Sequence, residues 1–111
     1  MKQTEIDQLK KMYAAADYKC FICGNHANQR AHAVGDRKIN RQLFSDDVVD
    51  SPLNWFAVCD LTCNALVDLG QGYILNDVVA NIIRGDDDYE DKRAMIEDLI
   101  LENIAKKQGK V

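Results

Sequence analysis

Four cysteines in two short-spaced pairs constrain this chain more than any other feature. Cys20 and Cys23 form a CxxC pair and Cys59 and Cys63 a CxxxC pair; 35 residues separate the two, and there is no other cysteine. Thiolates three or four positions apart converge at a backbone turn. Two such turns supply the four soft ligands that Zn²⁺ takes as a tetrahedron. In a chain of 111 residues a staple of this kind adds usefully to a modest core. A redox pair, disulfides or inert buried thiols are the other readings of the same residues. Compartment weighs between them. The charged start MKQTEIDQLKK does not resemble a signal peptide, and no apolar run approaches the ~18 residues of a membrane span. A cytoplasmic protein without membrane contact is expected, and there a metal-bound thiolate set is favoured over disulfides.

With 47% hydrophobic and 29% charged residues, one Pro and six Gly, the chain fits a single globular domain over residues 1–111. Disorder, collagen-like repeats and coiled-coil rods are excluded. The net charge of −4 argues against a generic cationic coat for nucleic acid. The charge is uneven, however. Between residues 28 and 41, Arg30, Arg37, Lys38 and Arg41 face Asp36 alone, whereas Asp86, Asp87, Asp88, Glu90 and Asp91 crowd a later stretch. A polyanion would bind at the first segment, although such a charge run is commonly just a solvated face.

Hydrophobic periodicity predicts a helix over residues 5–17, with Ile6, Leu9, Met12, Tyr13 and Ala16 on one face and a Thr4/Asp7 capping box. Gly24 closes the first cysteine knuckle, where a positive φ is required. Short strands are expected at 29–34 and 55–59, joined by a long polar loop over 35–52. A short helix over 63–69 ends at Gly70. A helix capped by Asn76 or Asp77 runs to Gly85, and one over 91–107 carries Met95, Ile96, Leu99, Ile100 and Ile104. The fold class is α+β: a zinc-stabilised core over about 18–70 after an N-terminal helix, then a helical part over about 76–107. The last helix's apolar face serves the core or a homodimer interface.

Between and beside the cysteine pairs stand Ala31-His32-Ala33, then Asp50-Ser51-Pro52-Leu53-Asn54, then Val58-Cys59-x3-Cys63-Asn64. In this order and spacing residues 20–64 resemble the His-Asn-His (HNH) endonuclease family of the ββα-metal type, in a phage-associated subgroup. The resemblance implies a metal-dependent hydrolysis of DNA phosphodiester bonds in a bacterial or phage-infected cell. It assigns His32 on the first strand as general base, Asn54 as the residue orienting that imidazole, and Asn64 on the short helix as ligand to a catalytic divalent ion. A neutral imidazole takes a proton near pH ~6.5, and an amide carbonyl suits Mg²⁺ or Mn²⁺. The cysteine-bound Zn²⁺ is then structural.

The sequence also departs from the pattern. Ala31 and Ala33 stand beside the strand histidine, where family members carry a further ligand, and Ser51 stands where the subgroup has a histidine. Asp50, the acid nearest Asn54 in the loop, is the candidate for the missing oxygen ligand. Arg30, Arg37, Lys38 and Arg41 are the candidate phosphate contacts. Each residue has a plainer reading: His32 as a satisfied structural histidine, Asn54 as a turn residue and Asn64 as a helix-start residue. His26 is a loop residue, and Trp55 and Phe56 are core. The alternative function is therefore a non-catalytic zinc-binding module on the same scaffold, acting through protein or nucleic-acid binding.

Overall fold

The computed structural model describes residues 2–70 and 73–107, and side chains except that of Tyr73. In chain order it contains α1 (Gln3–Ala15), β1 (Gln29–His32), α2 (Lys38–Phe44), α3 (Asp46–Val49), a 3₁₀ turn (Pro52–Asn54), β2 (Trp55–Val58), α4 (Leu61–Val67), α5 (Tyr73–Arg84) and α6 (Tyr89–Lys107). This is an α+β domain. Among the described residues, no helix is long and apolar enough to cross a membrane.

β1 and β2 pair antiparallel with Arg30 opposite Ala57, Ala31 opposite Phe56 and His32 opposite Trp55. Alternation along a strand then puts Arg30, His32 and Trp55 on one face and Ala31, Phe56 and Val58 on the other. The second face packs on α4 and α6, where Ala31, Phe56, Val58, Val67, Ile96 and Ile100 form one buried cluster. Val79 and Ala80 of α5 join this cluster, so the apolar faces of both C-terminal helices serve the core of the protomer. Burying the Phe, Val and Ile side chains of this cluster contributes about 1.5–3 kcal/mol each.

From α6, Arg93 reaches the start of β2. Its guanidinium lies 3.8 Å over the Phe56 ring, and Nη1 donates to the carbonyl of Trp55 at 2.6 Å. α1 is attached more loosely, with no fully buried side chain. Its expected capping box does not form: Lys2 holds the N-cap position with no side-chain bond. The helix ends where Asp17 and Tyr18 take left-handed backbone, φ +54° and +56°. The knuckle that follows turns at Gly24 with φ +80°, as its sequence requires.

The segment expected as a long loop is folded. Phe44, Val48, Val49 and Leu53 all bury their side chains, but no single helical period joins them because Ser45, at φ +75°, breaks α2 from α3. Asn40, also buried, donates to the Gly35 carbonyl at 2.9 Å. From α5, Arg84 donates to the carbonyl of Phe44 and to Ser45 Oγ across the break. Ser51 opens the 3₁₀ turn by accepting from Leu53 N at 3.2 Å, with Pro52 at the position where a missing N–H costs nothing. α4 begins two residues earlier than the periodicity suggests. Asp60 caps it, its carboxylate accepting from Cys63 N at 2.9 Å. α5 likewise begins before Asn76, which is buried within it.

Candidate functional site

The two cysteine pairs meet. Their four Sγ atoms lie within 4.8 Å of one another, with Cys23 and Cys59 3.4 Å apart and Cys59 and Cys63 3.6 Å apart. A ZnS₄ tetrahedron with bonds of ~2.3 Å has S–S edges of about 3.8 Å, so the donor set fits that ion in chemistry and spacing. No disulfide joins any of the four. The local backbone prepares the site. Ile22 N–H points at Cys20 Sγ from 3.4 Å, and the Asp60 cap fixes Cys63 at the first turn of α4.

The electrostatics also ask for a cation. Burial disfavours the Cys20 thiolate, but the backbone N–H groups of Cys23 and Ile22 outweigh that and bring its pKa down to about 7. Cys59 is pushed up to about 11, first by its contact with the Cys23 sulfur and then by burial. Burial, followed by the Cys59 sulfur, pushes Cys63 up as well. Adjacent sulfurs cannot all carry charge unless a positive ion sits among them.

Beside β1 lies a cavity of about 260 Å³ lined by Arg30, His32, Gly35, Asp36, Arg37, Asn64 and Asp68. At ~30 Å³ per water it has room for about nine waters, enough for a hydrated ion and a phosphate group. β1 presents His32 and Arg30 to it, and α4 presents Asn64. Asn64 Nδ2 reaches the Arg30 carbonyl at 3.4 Å, which leaves Oδ1 without a partner among the described residues. Burial, and next the charge of Arg30, lowers the His32 pKa; Asp36 and Asp50 pull the other way. The imidazole is therefore neutral at pH 7. It meets Trp55 edge-on with ring centroids 6.4 Å apart, and Arg30 covers the Trp55 ring at 4.5 Å. Trp55 is thus core under the hairpin, 1% exposed, as its plainer reading has it.

The remaining expected site residues divide. Asn54 is fully buried but does not orient His32. Its Oδ1 accepts from Val34 N at 2.7 Å, and its Nδ2 donates to the carbonyls of Val34 and Val49 at 2.9 and 3.1 Å. Its main-chain carbonyl accepts from Ala33 N at 3.0 Å. With its amide engaged in this way, Asn54 joins the end of β1 to the end of α3. Asp50 is not among the cavity residues either. Its carboxylate takes both Nη atoms of Arg41, at 2.8 and 3.1 Å, and the same guanidinium also holds Asp36 and Asp46.

Of the four basic residues, Arg30 and Arg37 line the cavity, while Lys38 is exposed beyond it and Arg41 is occupied by its three aspartates. His26 is exposed, in an isolated bridge with Lys19. Ala31 and Ala33 are fully buried.

The acids that do reach the cavity, Asp36 and Asp68, were missed. Asp68 had a signal: it falls four residues after Asn64, on the same side of a helix. The hydrogen bond from Arg41 lowers the Asp36 carboxyl below its ordinary value, and Asp68 is paired with Arg37. A larger groove of about 630 Å³ between α1, the knuckle and α6 is mainly apolar, and its one carboxylate, Glu97, pairs with Arg93 at 3.5 Å. Size favours the groove, but only the smaller cavity gathers an imidazole, an amide oxygen, carboxylates and guanidinium groups. No protein-family model, curated protein or solved structure matches this chain.

Proposed function

We propose that this chain is a zinc-stabilised, metal-dependent DNA endonuclease of the His-Asn-His type, with its reaction centre in the cavity between β1 and α4. One observation carries the reading: His32 from the first strand and Asn64 from the following helix line the same cavity, flanked by Arg30 and Arg37. Zn²⁺ held by Cys20, Cys23, Cys59 and Cys63 is structural in this reading and locks the knuckle to the start of α4.

Neutral His32 takes the proton of the attacking water. Arg30, whose charge is opposed by no carboxylate within ion-pair distance among the described residues, neutralises the phosphodiester. Asn64 Oδ1 and the cavity carboxylates are hard oxygen donors that fit Mg²⁺ or Mn²⁺. Such an ion, when bound, stabilises charge on the leaving oxygen.

A second reading has its own support. Both cavity carboxylates are neutralised by arginines, by Arg41 on Asp36 and by Arg37 on Asp68, and the flanking alanines offer no ligand. A non-catalytic zinc module that binds nucleic acid or protein would have this character. Plasmid nicking separates the two. The nuclease nicks with Mg²⁺ or Mn²⁺, and His32→Ala abolishes nicking while one zinc per chain is retained. Nicking that survives His32→Ala sinks the catalytic assignment. One zinc per chain with no nicking by the parent protein selects the binding module.

A further inference from the structure

The cavity's two carboxylates are each matched by a guanidinium, and the Arg37–Asp68 pair lies directly in its wall. Arg37 donates to both oxygens of Asp68, whose Oδ1 also accepts from Gly70 N at 2.8 Å. Asp68 ends α4 four residues after Asn64, and the next residue ties this end to β1 through Leu69 N to the Ala33 carbonyl at 2.9 Å. Gly35 makes room for the pair, since a Cβ there would stand 2.5 Å from Arg37 Nη1 and 3.4 Å from Asp68 Oδ2. The two side chains are 38% and 23% exposed, so an ion arriving from solvent reaches both.

We propose that Arg37 is an exchangeable counter-ion: it holds Asp68 in the resting protein and moves to a phosphate oxygen when a phosphodiester enters, releasing the Asp68 carboxylate to a divalent cation beside Asn64. The inference rests on the proposed function for the identity of the anion. Charge matching gives the reason. An anion that takes Arg37 without a cation leaves the Asp68 charge unpaired; a cation that takes Asp68 without an anion leaves the Arg37 guanidinium unpaired. Entering together they leave neither, and an unpaired charge in a half-buried wall is the costly state. The two ligands therefore bind with positive and reciprocal coupling.

Mn²⁺ binding to the zinc-loaded full chain, followed by the electron paramagnetic resonance of free Mn²⁺, tests this with sulfate as a tetrahedral oxyanion that is not hydrolysed. Sulfate is expected to tighten Mn²⁺ binding about tenfold. Arg37→Gln is expected to bind Mn²⁺ tightly without sulfate and to lose the response. Asp68→Asn, which removes the opposite partner, is expected to bind sulfate more tightly and Mn²⁺ more weakly, so either variant serves if the other fails to fold. A parent protein whose Mn²⁺ affinity ignores sulfate overturns the exchange, as does an Arg37→Gln protein that binds Mn²⁺ no tighter than the parent. Coupling without DNA nicking supports the exchange and removes the catalytic reading; nicking without coupling does the reverse.

Discussion

Replacing Asn54 by alanine separates a structural from a catalytic asparagine. The side chain is fully buried and makes three hydrogen bonds, to Val34 N, Val34 O and Val49 O, at 2.7, 2.9 and 3.1 Å. Val34 and Val49 are themselves fully buried, and none of these three backbone groups has another partner among the described residues. Asn54→Ala therefore strands one N–H and two carbonyls in a dry interior, at about 1–3 kcal/mol each. Entry of a water into the vacated space offsets part of that. A net loss of about 4 kcal/mol is expected, a large fraction of the ~5–15 kcal/mol that holds a domain together. At roughly 4 °C per kcal/mol for a chain of this length, the melting temperature falls by about 15 °C. Urea and thermal denaturation followed by circular dichroism read this directly. Asn54→Asp should fare no better, because an acceptor replaces the donor that faces two carbonyls. A variant that melts with the parent protein yet loses nicking would refute the structural role and restore Asn54 as the residue that orients His32.

Stripping zinc with a chelator should release one equivalent per chain and unfold the hairpin region, with recovery on adding zinc back, as circular dichroism and metal analysis would show. Retained structure in the metal-free chain would contradict this. The nicking rate should rise with pH to a plateau whose midpoint lies below the ordinary histidine value of ~6.5, because burial and Arg30 oppose the imidazolium more than Asp36 and Asp50 favour it. A midpoint above that value counts against His32 as the base. Asp60→Ala removes the cap at Cys63 N and should cost about 1 kcal/mol in urea denaturation, together with weaker zinc retention.

The parts of this protein that were legible in its sequence are those fixed by local rules. Two cysteine pairs with a glycine at the knuckle, two short strands and the apolar stripe of the last helix all follow from spacing and period. Residues 35–52 were illegible because their order comes from elsewhere in the chain. Phe44, Val48 and Val49 find the core only after Ser45 breaks the helix, a break that Arg84 of α5 supports. Asn54 could be picked out as important, but its partners, 20 and 5 residues back, are backbone groups with no signature of their own. The basic residues misled in a similar way. Arg41 reads as a phosphate contact until Asp36, Asp46 and Asp50 are seen around it, and Asp50 reads as a metal ligand until it is seen on Arg41.

The wheel of aspartates around Arg41 also bears on the order in which the chain folds. The two strands are separated by 22 residues, a long excursion to close if it were slack. All of Arg41's partners lie within nine residues of it, and Asn40 reaches back only five to Gly35. Contacts this local close short loops, so the Arg41 and Asn40 bonds hold α2 and α3 as a compact spacer between His32 and Trp55. Each halving of the effective loop saves only about 0.6 kcal/mol at equilibrium. The larger effect is kinetic: Arg41→Ala should slow refolding more than it speeds unfolding in a stopped-flow chevron.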